Sequence, residues 1–173
     1  MAISEVRLLA LTSGDLRRLA ADPGGFALAA RFHLGGHGAV VQAVASASAA
    51  FQEQNGIEPP WGGYLALDPD SRIVLGTCAF KGPPNAAGEV EIAYFTFPGG
   101  EGQGIATAMA RALCVIASRE PRVVRLLAHT LPERNASGSV LTRLGFRHAA
   151  DVVDPEDGPV WRWEREPLPG PAR

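Results

Sequence analysis

The sequence predicts one α/β (α+β) domain built on a mixed, mostly antiparallel sheet that is flanked by helices. Three observations support this class. The chain has 173 residues, the usual length of a single domain. Apolar residues make up 46% of it and charged residues 20%, as in chains that fold around a core. Strand-like and helical stretches follow in the order strand, helices, three strands, helix, strand, helix and two strands.

The N-terminal part is predicted to hold one strand and two helical regions. Residues 6–12 form an apolar run that predicts a strand. Residues 13–21 predict a helix, with Ser13 as the cap of the amides that follow. Residues 24–38 stay ambiguous because glycines interrupt their apolar pattern, whereas the alanine-rich residues 40–54 predict a helix.

The middle of the chain is predicted to be an antiparallel meander. Residues 61–67 and 73–80 are strand-like, and the turn sequence Asp68-Pro69-Asp70-Ser71 joins them. A second turn region follows at residues 82–88. Residues 89–97 are rich in aromatic and β-branched side chains and predict the third strand of the meander.

The last part of the chain returns to helices and strands in alternation. Residues 103–118 carry apolar side chains at helical spacing and predict an amphipathic helix. Residues 123–129 predict a short strand, and residues 135–144 predict a helix that Gly145 ends. Two further runs are predicted to pair as the closing strands: residues 146–152 and residues 160–163.

Charge and cysteine content exclude several classes of function. The net charge is −2, so no overall basic surface exists to hold a nucleic-acid backbone. Cys78 and Cys114 are too few for a disulfide framework, and no Cys/His cluster has zinc spacing, so no metal site is predicted. The uncharged residues 32–52 are too polar for a membrane span, and the N-terminus has no signal-peptide pattern. We expect a cytoplasmic protein that binds neither nucleic acid nor membrane.

The most informative stretch is residues 94–107, in which a predicted strand ends, a glycine-rich turn follows and a predicted helix begins. Gly102 and Gly104 allow backbone amides to turn towards a ligand, and the N-terminus of the helix adds aligned amides and partial positive charge. A Walker loop is disfavoured because it needs Lys followed by Ser or Thr, and this stretch contains no lysine. A dinucleotide-binding fingerprint is disfavoured because its third glycine is missing here. Two interpretations therefore stay open: a loop that binds the pyrophosphate of coenzyme A, and an ordinary strand-to-helix connection.

Three blocks of sequence resemble the GNAT acyltransferases. The family signature (Arg or Gln, two variable residues, Gly, one variable residue, Gly or Ala) falls on residues 101–106, where both small positions match and Glu101 replaces Arg or Gln. Residues 129–146 resemble the family segment with Asn, Ala-Ser and Leu-Gly-Phe. Residues 76–94 are similar to the branch that includes the ribosomal-protein N-terminal acetyltransferases. Because the blocks occur in the family order, the chain is identified as a member.

The resemblance implies a single domain whose sheet splays between its fourth and fifth strands and binds acetyl-CoA there. It implies substrate-side elements in residues 1–58, a cofactor-binding core in residues 59–150, a closing strand in residues 151–166 and a flexible tail in residues 167–173. The cofactor-binding residues it implies are Phe95, Thr96, Phe97, Glu101, Gly102, Gln103, Gly104, Ile105, Ala106, Thr107 and Asn135. Phe95, Thr96 and Phe97 are expected to bind the cofactor through exposed strand amides.

Acetyl transfer to an amine needs a proton acceptor and benefits from a proton donor. Glu91 is the predicted base, because it lies on a central strand near an expected apolar pocket and similar proteins often carry Glu there. The tyrosine that many members use as the acid is replaced by Leu141, so Ser137 is the substitute that the pattern offers. Tyr94 is a weaker candidate because its strand parity is opposite to that of Glu91, and His129 is expected to be structural.

The implied activity is transfer of an acetyl group from acetyl-CoA to a primary amine, by direct attack with general-base assistance. The acceptor is either a protein or peptide N-terminus or a small-molecule amine. The alternative is a non-catalytic member that binds acyl-CoA as a sensor, which the departures at Glu101 and Leu141 allow. A nucleotide-binding module is a third hypothesis, disfavoured by the missing lysine. Because similar proteins are frequently dimers, a homodimer is expected.

Overall fold

The computed structural model describes residues 3–155 and 157–167, and seven strands in this part form one sheet. The elements in chain order are β1 (Arg7–Ala10), α1 (Ser13–Ala21), α2 (Pro23–Ala30), α3 (Gly38–Asn55), β2 (Gly63–Leu67), β3 (Val74–Phe80), β4 (Glu89–Thr96), α4 (Ile105–Ala117), β5 (Arg125–Thr130), α5 (Ala136–Arg143), β6 (Arg147–Asp154) and β7 (Gly158–Arg165). The predicted tail lies outside the described residues from residue 168 onward.

The strands lie side by side in the order β1-β2-β3-β4-β5-β7-β6. Each neighbouring pair is antiparallel except β4 and β5, which are parallel. The parallel pair follows from the chain path, since α4 carries the chain from the end of β4 back to the start of β5. The predicted fold class is confirmed.

The sheet opens between β4 and β5. Only the first three residues of β4 pair with β5, ending with Glu91 opposite Leu127. Beyond that point no described residue of β4 pairs with β5, although β4 continues to Thr96 and β5 to Thr130. The splay implied by the sequence therefore begins directly after Glu91.

Helices cover the two faces of the sheet unequally. On one face α1, α2 and α3 bury an apolar cluster against β2 and β3, with Leu16, Val41 and Leu67 at its centre. On the other face α4 and α5 bury a larger cluster that contains Met109 and Leu141. The side chains of β4 and β5 on the first face include charged groups, so that face stays open to solvent beside the splay.

The caps of the first helices differ in part from the expectation. Thr12, not Ser13, caps α1: its side chain accepts from the Asp15 amide at 3.0 Å, and the Asp15 carboxylate accepts from the Thr12 amide. α2 lies in the stretch that the sequence left ambiguous. Pro23 begins it and the Asp22 side chain accepts from the Gly25 amide at 2.9 Å, which offsets the low helix propensity of its glycines.

Later helix ends agree with the sequence. The Asn135 side chain caps α5 by accepting from the Gly138 amide at 2.9 Å, and Gly145 follows the helix with a φ of +81°. Gly56, in the left-handed region, ends α3.

None of the helices in residues 3–155 and 157–167 has the length and apolar content that a bilayer crossing requires.

A buried amide side chain links α3 to the start of the sheet. Gln52 is 2% exposed. Its Oε1 accepts from the backbone amide of Gly63 at 2.6 Å, and its Nε2 donates to the carbonyl of Leu11 at 3.3 Å. The sequence analysis did not single out this residue, because a glutamine near the end of an alanine-rich helix carries no signal of burial.

Candidate active site

The splay encloses a cavity of about 430 Å³. Its walls come from both diverging strands and from the first turn of α5. The lining residues are Lys81, Glu91, Ile92, Ala93, Tyr94, Ala128, His129, Thr130, Leu131, Ser137, Asp157 and Val160. The cavity therefore brings together the two predicted catalytic residues, Glu91 and Ser137, from separate elements.

The edge of β4 that faces the cavity exposes alternate peptide groups. In an antiparallel pair, alternate residues bond to the partner strand and the residues between them point away from it. The Phe97 amide donates to the Leu75 carbonyl at 2.9 Å, and the Lys81 amide donates to the Glu91 carbonyl at 3.0 Å. Odd-numbered residues of β4 thus bond to β3, and the peptides of Ile92, Tyr94 and Thr96 face the splay.

This alternation corrects the predicted set of strand amides. Only Thr96 of the predicted three turns its amide to the splay, whereas those of Phe95 and Phe97 turn to β3. The Phe97 side chain is buried in the cluster under α1, α2 and α3. Phe95 is 48% exposed and packs edge to face on Phe97, with 5.8 Å between ring centroids. Phe95 therefore offers an apolar surface instead of an amide donor.

Glu91 lies between a lysine and a histidine at the point where the strands separate. Its Oε1 is 2.7 Å from Nζ of Lys81 on one side and 3.0 Å from Nδ1 of His129 on the other. Glu91 is the last residue of β4 that pairs with β5, and His129 lies on the part of β5 that pairs with β7 but not with β4. Glu91 is therefore at the site, as predicted, whereas His129, predicted to be structural, lies beside it.

Lys81, the only lysine of the chain, is held as an ammonium by its surroundings. Burial acts to lower the pKa of Lys81, but the hydrogen bond and attraction from Glu91, together with Asp157 and Asp154, raise it above its ordinary value. The cavity rim thus carries one fixed cation among several carboxylates.

The α5 side of the cavity carries two hydroxyl groups. The Tyr94 hydroxyl donates to the backbone carbonyl of Ser137 at 3.3 Å, which ties β4 to the first turn of α5. Burial raises the pKa of Tyr94 to about 12, so the phenol stays protonated at neutral pH. Ser137 itself is one of the residues that line the cavity. Leu141 is fully buried between α5 and the sheet, so it is outside the cavity lining.

The glycine-rich turn leads into α4 as predicted. Gly102 and Gly104 have φ values of +75° and +87°, and Gly104 is the residue before the helix. No described residue accepts a hydrogen bond from the amides of residues 104–107, which precede the first amide that donates within the helix, that of Ala108 to the Gly104 carbonyl. A group of unbonded amides at the start of a 13-residue helix fits a pyrophosphate.

Three further hydrogen bonds shape the turn. Glu101 Oε2 accepts from the Gly99 amide at 2.8 Å, and Gln103 Nε2 donates to the Gly99 carbonyl at 2.9 Å. The Ile3 amide donates to the Gln103 carbonyl at 2.7 Å, so the N-terminal segment lies against the turn. Glu101 therefore adds a negative charge to a turn whose amides fit an anion.

Comparisons with known proteins agree with this geometry. Residues 6–147 match the family model described as an acetyltransferase (GNAT) domain. Among curated protein sequences no significant match is found.

Solved structures of several N-acetyltransferases have the same fold. One is the ribosomal L7/L12 α-N-protein acetyltransferase RimL in complex with coenzyme A (TM-score 0.64, 15% identity, 96% of each chain). Another is the ribosomal-protein-S5-alanine acetyltransferase from Vibrio fischeri (TM-score 0.62, 13% identity, 96% of each chain). A third is a mutant form of the spermidine/spermine N-acetyltransferase SpeG from Vibrio cholerae (TM-score 0.63, 13% identity, 94% of this chain and 95% of that one).

Proposed function

Because the chain belongs to the GNAT acetyltransferase family, we propose that it transfers the acetyl group of acetyl-CoA, the acyl donor of that family, to a primary amine. The observation that carries this proposal is the cavity of about 430 Å³ at the splay. It joins a carboxylate–histidine pair, a serine hydroxyl and a row of strand peptides in one space that opens to solvent. These are the group types that amine acylation uses.

The residues present fit acetyl-CoA at two places, the turn before α4 and the cavity at the splay. The amides of residues 102–107 would hold the pyrophosphate, with Gly102 and Gly104 leaving the backbone uncovered. The peptides of Tyr94 and Thr96 would hold the pantetheine portion, and Asn135 lies at the start of α5 beside it. The cofactor supplies an activated acetyl group as a thioester. The strand peptides that face the cavity are suited to polarise its carbonyl.

Proton movement falls to side chains on opposite walls of the cavity. We assign proton acceptance to the pair that contains Glu91, and proton donation to the Ser137 hydroxyl. Tyr94 holds the Ser137 carbonyl and so fixes the first turn of α5 against β4. Leu141 has no role in this scheme because it is buried in the core.

The acceptor in this proposal is a cationic amine, as a protein N-terminus or a small molecule. Glu91 and Asp157 line the cavity beside a single lysine, which favours a positively charged group at the entrance. The names of the fold neighbours cover both kinds of acceptor, an α-N-protein amine in RimL and spermidine or spermine in SpeG. The open face of the sheet beside the splay leaves room for either.

Calorimetry followed by an acceptor panel tests the proposal. We expect acetyl-CoA to bind, and coenzyme A to be released when Ser- or Ala-initiated peptides, spermidine or amino acids are added. Absence of binding at millimolar acetyl-CoA would contradict the proposal. Binding without turnover on any member of the panel would instead support a sensor that holds acyl-CoA and does not react.

Replacing Glu101 by glutamine is expected to tighten coenzyme A binding about two- to fivefold. The substitution removes one negative charge from the turn, and the new amide oxygen can still accept from the Gly99 amide. Calorimetry at low ionic strength measures the change in Kd. Glu120→Gln, which removes the same charge beyond the other end of α4, is the matched control and should leave Kd unchanged.

We also propose that the protein acts in the cytoplasm and as a homodimer. Both cysteines are free and buried, and burial raises the pKa of Cys114 to about 11, which suits thiols kept reduced. One fold neighbour, the spermidine N-acetyltransferase from Vibrio cholerae, is dodecameric, so the fold supports self-association.

A further inference from the structure

We propose that His129 is the group that takes the proton from the acceptor amine, and that Glu91 is the residue that positions it. This inference rests on the proposed amine acetylation and refines the assignment of Glu91. It comes from a contact that the sequence does not show, since Glu91 on β4 and His129 on β5 meet only because the strands are parallel there.

The contact with Glu91 determines the tautomer of His129. Glu91 Oε1 lies 2.7 Å from the Lys81 ammonium, so the group that faces Nδ1 of His129 is an ionised carboxylate. A carboxylate can only accept a hydrogen bond, so Nδ1 must carry the proton. In a neutral imidazole the other nitrogen, Nε2, is then an acceptor with a free lone pair.

The other ring nitrogen of His129, Nε2, is open to the cavity. No described residue forms a hydrogen bond with this atom, whereas Nδ1 is bonded to Glu91. Among the described residues, no fully buried side-chain nitrogen or oxygen lacks a partner. An unpartnered Nε2 is therefore accessible, and because His129 lines the cavity, the lone pair is available to a molecule inside it.

The site holds two candidate acceptors of the proton. Glu91 Oε1 already accepts from Lys81 on one side and from His129 on the other. The same carboxylate is placed to stabilise the imidazolium that forms when His129 takes up a proton, which is the division of labour in an Asp–His pair. Lys81 fixes the carboxylate from the opposite side. Asp157 lines the same cavity, and Asp154 also acts on Lys81. Arg162 lies opposite His129 on β7, and its guanidinium is paired with Glu89 and Glu164.

The step itself is a single proton transfer. An N–H bond of the acceptor ammonium breaks, its electron pair stays on the amine nitrogen, and the proton bonds to Nε2 of His129. The neutral amine then has the lone pair that acylation requires. The imidazolium later returns the proton to solvent, so the histidine is regenerated.

The tautomer can be measured without cofactor or acceptor. Nitrogen NMR of the uniformly labelled protein at mildly alkaline pH should show His129 with a protonated Nδ1 and an unprotonated Nε2. Glu91→Ala, which removes the carboxylate, should shift the ring towards the opposite tautomer. A protonated Nε2 in the unaltered protein would overturn the proposal, whatever the outcome of activity assays.

Kinetics of two near-isosteric variants separate the roles. His129→Asn keeps a donor near the Nδ1 position but removes Nε2, and we expect kcat/KM to fall about 100- to 1,000-fold. In Glu91→Gln the Lys81 ammonium still favours an oxygen facing Nδ1, so the tautomer is kept and only the charge that stabilises the imidazolium is lost. We therefore expect a smaller loss, about tenfold. A larger loss of kcat/KM in Glu91→Gln than in His129→Asn would make Glu91 the base and overturn the proposal.

Three controls make the comparison decisive. His148→Asn replaces a histidine that lies outside the cavity lining and should not change kcat/KM. Acetyl-CoA affinity should be the same in His129→Asn and the unaltered protein, and added imidazole should restore turnover to His129→Ala. If imidazole restores nothing, His129 is not the proton acceptor. If the unaltered protein acetylates no amine, the proposed function fails, while the NMR result still decides the tautomer.

Discussion

Gly104→Ala is expected to weaken coenzyme A binding about 10- to 100-fold. Gly104 has a φ of +87°, a region that costs an alanine about 1–2 kcal/mol. A Cβ at this position would also lie 2.7 Å from the Ile3 carbonyl oxygen, which is backbone and cannot rotate away. The turn must therefore shift, and the amides at the start of α4 shift with it. Titration calorimetry with coenzyme A measures the loss.

Gly145→Ala is the matched control for this effect. Gly145 has a φ of +81° and ends α5, and nothing lies within 4 Å of the position that a Cβ would occupy. The alanine there should cost a similar free energy of unfolding and leave Kd for coenzyme A unchanged. An equal loss of affinity in both variants would mean that the effect comes from general destabilisation and not from the turn.

Gln52→Leu is expected to lower the free energy of unfolding by about 2–5 kcal/mol. Leucine is close to glutamine in size, so packing is largely kept, but two hydrogen bonds disappear. The Gly63 amide and the Leu11 carbonyl are then left unpaired in the interior, at about 1–3 kcal/mol each. Urea unfolding followed by circular dichroism measures the difference.

Gln42→Leu tests the same substitution on the exposed side of the same helix. Gln42 donates to the Ala20 carbonyl at 2.7 Å, but water can replace it there. We expect a change within about 0.5 kcal/mol. A loss below about 1 kcal/mol in Gln52→Leu would show that the buried bonds do not secure α3 to the sheet.

Most elements of this fold could be predicted from apolar periodicity, but α2 could not. Its sequence begins Pro23-Gly24-Gly25, and two glycines disfavour a helix in isolation. The helix forms because Asp22 caps it and because Ala27 is buried against the neighbouring helices. Tertiary contacts of this kind are invisible in a single local window of sequence.

The candidate site could be predicted only in part, for reasons of register. Glu91, Ser137, Gly102 and Gly104 follow from local pattern and resemblance, and the structure places all four on the cavity or the turn. The contact of His129 with Glu91 depends on how β4 and β5 align, and no short stretch of sequence specifies that alignment.

The strand amides at the splay are a part of the site that local sequence does constrain. The resemblance implies that the three consecutive residues Phe95, Thr96 and Phe97 present their amides together. Consecutive peptides of a strand point to opposite neighbours, so at most alternate amides can face one gap. The alternation by itself indicates Tyr94 and Thr96, or Phe95 and Phe97, and the pairing of β3 with β4 decides between the two sets.

The contact between Ile3 and the glycine-rich turn links the start of the chain to the proposed phosphate site. Ile3 bonds to Gln103, and Arg111 reaches the Ser4 carbonyl at 3.3 Å across a sequence separation of 107 residues. A ligand that binds only the intact turn therefore stabilises these two hydrogen bonds by mass action. We expect Ile3 and Ser4 to gain protection from proteases when the site is filled, and their removal to take away a support of the turn.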